Sequence, residues 1–212
     1  MNNAKPEITD ETILVFDKDG VLFHSEDFKF EYFLTLFDEY PTYIQDVQAY
    51  LVSSGGTPRK LRFEHICKNI IGLTEYEVWV EDLAEKSGQE INSAISNMGF
   101  VEGAEEYLNI HLKNEKYVCS GASMDEVEKH LEINGISGLF QEVYGGVTKK
   151  SKVLKDLKKR LGDNMVFYGD TMVDYNASVE AGVKFVGLRT SKYHDPFKEM
   201  DICKVHNFLE LI

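Results

Sequence analysis

Thr12-Ile13-Leu14-Val15-Phe16-Asp17-Lys18-Asp19-Gly20 is the stretch on which the reading of the fold turns. Five residues, apolar apart from the leading threonine, end abruptly in two carboxylates one residue apart. A short run that is apolar on both faces suits a central strand of a parallel sheet, covered above and below. Gly20 then permits a sharp exit from the strand.

Outward from this point the chain changes texture twice. From Glu26 to about Asn97 it reads as helix after helix, with no convincing strand. Phe28, Tyr32, Leu36 and Tyr40 recur at helical spacing, as do Phe63, Ile66, Cys67, Ile70 and Ile71. Ser53-Ser54-Gly55-Gly56 forms a loop between them, and Thr57-Pro58 reads as an N-cap and first helical residue. After Gly99 strands and helices alternate. Helices are expected over 102–113, 124–134, 151–161 and 173–181, and strands over 116–119, 143–144, 165–168 and 184–188. Gly135, Gly162 and Gly182 close three of the helices. Strands separated by helices imply parallel pairing with right-handed crossovers. The expected fold is therefore α/β: a Rossmann-like parallel sheet core with helices on both faces and an inserted α-helical cap. Residues 1–20 and 101–212 make the core, and residues 21–100 make the cap inserted after the first strand.

Bulk properties narrow the function. A chain of 212 residues with 43% hydrophobic content can bury a sizeable core. A formal charge of −13 argues against general nucleic-acid binding, which needs a basic surface. No apolar run is long enough for a membrane span, and the first residues lack the apolar stretch of a secretory signal. Cys67, Cys119 and Cys203 are scattered without metal-finger spacing and read as thiols of a reducing compartment, so the cytoplasm is the expected location. Nothing distinguishes a monomer from a dimer.

Polar residues follow three of the expected strands: Asp17 and Asp19, then Ser120, then Asp170. In an open α/β sheet this carboxyl edge is where ligands bind. Carboxylates from two strands could hold one hard cation, and magnesium takes oxygen ligands together with waters and a substrate phosphate.

Asp17-Lys18-Asp19-Gly20-Val21 after an apolar strand resembles the first motif of the haloacid dehalogenase-like superfamily. Ser120 resembles its second motif, Lys150 its third, and Gly169-Asp170-Thr171-Met172-Val173-Asp174 its fourth, in the expected order. Lys152 is the alternative for the third motif, and Asp174 could equally serve only to favour the start of its helix. The resemblance implies a Mg²⁺-dependent phosphatase acting on a small phosphorylated metabolite. Asp17 would be the nucleophile that forms an aspartyl-phosphate, and Asp19 the acid and base. Ser120, Gly20 and the Gly121 amide would hold the phosphate, and Lys150 would offset its charge. Asp17, Asp170 and the main-chain carbonyl of Asp19 would hold the metal, with Asp174 a direct or water-mediated partner. The helical insertion resembles the cap of the β-phosphoglucomutase and phosphoglycolate phosphatase branch. Its loop Gly55-Gly56-Thr57-Pro58-Arg59-Lys60 is then the expected specificity element, with Arg59 either reaching an anionic or hydroxyl-rich part of the substrate or lying on the surface. A weaker resemblance, to members encoded with surface-glycan genes, hints at a sugar phosphate. A phosphomutase remains an alternative, although the histidine of β-phosphoglucomutases is replaced, counting from Asp19, by Lys29. A catalytically silent binding module is a further alternative.

Overall fold

The computed structural model describes residues 4–147, 149–193 and 195–212. The first strand, β1 (Ile13–Phe16), leads into four helices, α1 (Glu26–Thr35), α2 (Ile44–Ser53), α3 (Arg59–His65) and α4 (Glu77–Ala94). The chain then alternates: α5 (Ala104–Ile110), β2 (Lys116–Cys119), α6 (Met124–Ile133), β3 (Glu142–Tyr144), α7 (Lys150–Leu161), β4 (Met165–Gly169), α8 (Met172–Ala181), β5 (Lys184–Leu188) and β6 (Lys204–Val205). The strands form one sheet in the order β3-β2-β1-β4-β5-β6, and every pairing is parallel.

β1 lies at the centre because all four of its residues are buried and its alternate side chains serve opposite faces. Leu14 and Phe16 join a cluster with Val118, Val166 and Tyr168, whereas Ile13 and Val15 join Tyr117, Phe167 and Leu157 on the other side. Each such burial stabilises by roughly 1.5–3 kcal/mol. The helical region has an apolar cluster of its own, built on Phe33, Phe37, Phe63, Ile66 and Leu83. Where the chain enters and leaves this region its two connections run side by side, with His24 N–H donating to the Gly99 carbonyl and Val101 N–H to that of Leu22.

Several expectations shift in detail. In α1 the deepest apolar residues are Phe30 and Phe33, with Phe37 just beyond; Phe28, Tyr32, Leu36 and Tyr40 are only half-buried. Phe33 and Phe37 pack edge-on against Phe63, at ring separations of 5.0 and 6.0 Å, so a partner helix chose the buried stripe. Helix α3 starts at Arg59, and Pro58 is its cap with an extended ψ of 135°. The expected helix over 102–113 is shorter, ending at Ile110, and Asn114 turns back to donate to the carbonyls of Thr9 and Thr12. Strand β6 carries no alternation of its own and is not among the expected strands; Gly187 of β5 donates to the Cys203 carbonyl just before it, and Arg189, just beyond β5, to the Val205 carbonyl. No helix among the described residues is long and apolar enough to cross a membrane.

Candidate active site

The carboxyl ends of β1, β2 and β4 converge on one pocket, lined by Asp17, Asp19, Ser120, Gly121 and Asp170 on the core side and by residues that include Lys29, Gly56, Thr57 and Arg59 on the cap side. Asp17 is fixed by its own N–H, which donates to the Tyr168 carbonyl across the sheet. Its Oδ1 accepts from the Lys18 N–H at 2.7 Å, and its Oδ2 lies 2.9 Å from Lys150 Nζ. Lys150 also donates to Asp174 Oδ1 at 2.6 Å. Lys152 is exposed, so Lys150 is the lysine the fold delivers to the cavity. Asp174 both closes a capping box with Thr171 at the start of α8 and faces inward, so the two readings of this residue are compatible.

Asp17, Asp170 and Asp174 are buried, and one oxygen of each lies within 4.8 Å of the others. Neither carboxylate oxygen of Asp170 has a hydrogen-bond partner among the described residues. A buried carboxylate left so is costly unless a cation completes it. Three carboxylates against the single ammonium of Lys150 leave two negative charges, the complement of a divalent ion, and all the donors are hard oxygens. The residues therefore fit magnesium. Burial raises the Asp17 carboxyl to about 7 despite the nearby Lys150, and burial together with Glu26 and Asp17 raises Asp170 well above the usual carboxylate range. Gly20, at φ 70°, sits where any Cβ would collide with the Asp170 carboxylate, which explains the glycine.

Asp19 is placed differently. Its carboxylate is outside the triad and accepts from Lys29 Nζ at 2.6 Å and from the Ser25 hydroxyl, with Lys18 Nζ 3.1 Å away. Burial alone would raise this carboxyl, but Lys18 and Lys29 override it and hold Asp19 ionised, well below the usual range. Ser120 Oγ accepts from the Ala122 N–H at 3.2 Å. Gly121 is pressed against the cap: a Cβ there would lie 2.7 Å from the Gly56 carbonyl.

Arg59 reaches the cavity wall and pairs with Glu126, a residue without an expected role. Glu126 is in the first turn of α6, where an acidic residue reads as a favourable helix start. Instead it is buried and also accepts from Lys18 at 2.9 Å and Lys29 at 2.5 Å. The loop after β5 borders the cap as well: Thr190 donates to the Gly20 carbonyl and Ser191 to Asp27 of α1, while His194 lies outside the described residues. His24 is exposed, and the three cysteines are buried and free.

A parallel α/β sheet with a paired-aspartate loop after its central strand, a buried acidic triad and a helical insertion above them defines a cap-bearing, carboxylate-centred hydrolase. The family model for the haloacid dehalogenase-like hydrolases matches residues 14–188, and the chain belongs to that family. No curated protein matches it. Among solved structures, a predicted phosphoglycolate phosphatase from Haemophilus somnus 129pt is 19% identical, with a TM-score of 0.70 over 97% of this chain and 98% of that one. CbbY from Rhodobacter sphaeroides in complex with phosphate is 15% identical, with a TM-score of 0.71 over 94% and 96%. The HAD-hydrolase YfnB from Bacillus subtilis bound to magnesium is 15% identical, with a TM-score of 0.66 over 94% and 96%. At these identities the likeness is one of fold.

Proposed function

We propose that this protein is a Mg²⁺-dependent phosphatase that hydrolyses a small phosphorylated metabolite through a phosphoryl group carried transiently on Asp17. The observation that carries the reading is the position of Asp17: a buried carboxylate at the end of the central strand, contacted by Lys150 and grouped with Asp170 and Asp174. The phosphate bound to CbbY and the magnesium bound to YfnB support it by analogy of fold. Asp17, Asp170 and Asp174, with the main-chain carbonyl of Asp19, would hold Mg²⁺. The ion would neutralise charge on the phosphoryl oxygens.

In the first half-reaction an Asp17 oxygen attacks phosphorus in line, and the bond from phosphorus to the ester oxygen breaks. Ser120 and the Gly121 amide hold a phosphoryl oxygen while Lys150 offsets the charge. Asp19 gives a proton to the departing oxygen. Lys29 holds Asp19 ionised in the structure, so it takes up that proton only as the Lys29 contact loosens on substrate entry. In the second half-reaction ionised Asp19 removes a proton from the attacking water, and Asp17 is released with inorganic phosphate. A pocket walled by both core and cap residues suits a small substrate partly shielded from bulk water. Free buried thiols fit a reducing, cytoplasmic setting.

The test is a phosphometabolite panel with Mg²⁺, read as kcat/KM for phosphate release. Activity should vanish in Asp17→Asn and on chelation of the metal. Phosphate release that survives Asp17→Asn would overturn the mechanism. Isomerised sugar phosphate without net phosphate release would replace hydrolysis by the mutase alternative.

A further inference from the structure

The pocket over the acidic triad holds one carboxylate that neither metal binding nor phosphoryl transfer uses. Glu26, the first residue of α1, lines the pocket and is only 9% exposed. Every other charged group of the lining is already engaged. Asp17 is paired with Lys150, Asp170 belongs to the metal site, and Asp19 accepts from Lys29. Arg59 pairs with Glu126, and Arg62 donates to the Ser54 hydroxyl and the Leu51 carbonyl. The Glu26 carboxylate makes no hydrogen bond or ion pair among the described residues. Arg62 and Asp170 feel its charge without bonding to it. Its Oε1 lies beneath the cap loop, 3.8 Å from where a Cβ on Gly55 would stand. The favourable field at a helix start explains an acidic residue at this position, but not a buried one with both acceptor oxygens unused.

An ionised carboxylate only accepts hydrogen bonds, so a ligand that satisfies Glu26 must bring a donor. Lys29, Arg59 and Arg62 line the same cap-side wall, which disfavours an ammonium there. A hydroxyl supplies the proton without adding charge. Ser120, Gly121 and Asp17 hold the phosphoryl group from the core side of the pocket, and Glu26 lies on the cap side, where the alcohol part of an ester would extend. We propose that Glu26 is a specificity-determining residue that accepts a hydrogen bond from a hydroxyl on the alcohol part of the substrate, so that the pocket takes phosphate esters of hydroxylated alcohols over their deoxy analogues. The preference concerns the hydroxyl and not the charge of the alcohol part. The proposal rests on the phosphatase reading and deepens it to a feature of the substrate.

The test uses pairs of esters that differ by a single hydroxyl: sn-glycerol 3-phosphate against 3-hydroxypropyl phosphate, and D-ribose 5-phosphate and D-glucose 6-phosphate each against its 2-deoxy analogue. All are measured as kcat/KM for phosphate release by the full chain in saturating Mg²⁺. In at least one pair the wild type should favour the hydroxylated member by about tenfold or more, the worth of a hydrogen bond to a charged group. Glu26→Met keeps the length and loses the acceptor. It should bring that ratio to about twofold or below, chiefly by a loss on the hydroxylated member. Glu26→Gln, which keeps one acceptor oxygen, should fall between the two. Near-equal use of both members in every pair by the wild type would overturn the proposal, as would a ratio that Glu26→Met leaves unchanged. So would a loss shared equally by both members together with a higher Mg²⁺ requirement, which would make Glu26 a support of the metal site. The wild-type ratios decide even if Glu26→Met does not fold. Hydrolysis of acetyl phosphate alone would also overturn the proposal. Absence of phosphate release from every ester and from acetyl phosphate would instead refute the phosphatase reading. Calorimetric titration of the pairs into Asp17→Asn then reads the same preference as a ratio of Kd values.

Discussion

Replacing Lys150 by methionine removes one positive charge from the most crowded group of carboxylates while keeping most of the side chain's length. The ammonium lies 2.9 Å from Asp17 and 2.6 Å from Asp174, and all three groups are buried. At an effective dielectric constant of about 20, each contact is worth roughly 6 kcal/mol of attraction. That is an upper bound, because methionine escapes the cost of burying an ammonium. Removing one partner of a buried pair costs about 3–5 kcal/mol in practice. For a chain of this length each kcal/mol moves Tm by roughly 2–4 °C, so Lys150→Met should melt about 6–20 °C lower in chelator. Magnesium should recover more of the loss in the variant than it adds to the wild type, since the variant site carries three uncompensated negative charges and not two. Turnover should fall about 10²–10³-fold even with the metal, as expected when a preorganised charge is removed. The assay is thermal denaturation at mildly alkaline pH, in chelator and in saturating Mg²⁺. A variant within about 2 °C of wild type in chelator, or a Mg²⁺ increment no larger than the wild type's, would refute the reasoning.

Two further predictions follow from the same geometry. The Asp17 carboxyl is raised from 3.8 to about 7, burial being the chief cause, so the folded metal-free protein holds a proton there that the unfolded chain releases above about pH 4. The stability it contributes is present below about pH 4 and lost as pH rises towards 7; the Mg²⁺-induced rise in Tm should therefore grow from about pH 5 to about pH 8, as fewer protons need displacing. A pH-independent increment would count against these carboxylates as the metal ligands. In Gly121→Ala the new methyl would lie 2.7 Å from the Gly56 carbonyl and push the cap loop away from the core. A misplacement approaching 1 Å should lower kcat/KM by about 10–100-fold with a Tm change of only a few degrees; activity within about twofold of wild type would show that this contact is not part of the productive closed form.

Much of the architecture is visible in local pattern. The buried run of β1, the glycines that end the later helices and the helical spacing from Glu26 onward each reflect a constraint a few residues long. The two-residue strand β6 has no such pattern, since neighbouring β5 supplies the bonds that create it. The α1 stripe differs from the expected one for a related reason: apolar residues lie on more than one side of that helix, and Phe63 of another helix decides which side is deepest. The motif resemblance names Lys150, with Lys152 as the alternative, but the contacts of Lys150 with Asp17 and Asp174 depend on where α7 and α8 dock against the sheet.

While Lys150 and Asp174 were marked by the motif resemblance, the sequence by itself determined the central strand, the paired aspartates at its end and the return of Ser120 and Asp170 to the same sheet edge. These follow from short-range rules: strand apolarity, turn chemistry and crossover connection. Only the tertiary structure decided that Lys18 is wholly buried, that Lys29 holds Asp19 ionised, and that Glu126 gathers cations from three separate segments. In the chain these look like ordinary turn and helix charges. Their partners lie up to 108 residues away, and a charge acquires its role from what it faces after burial.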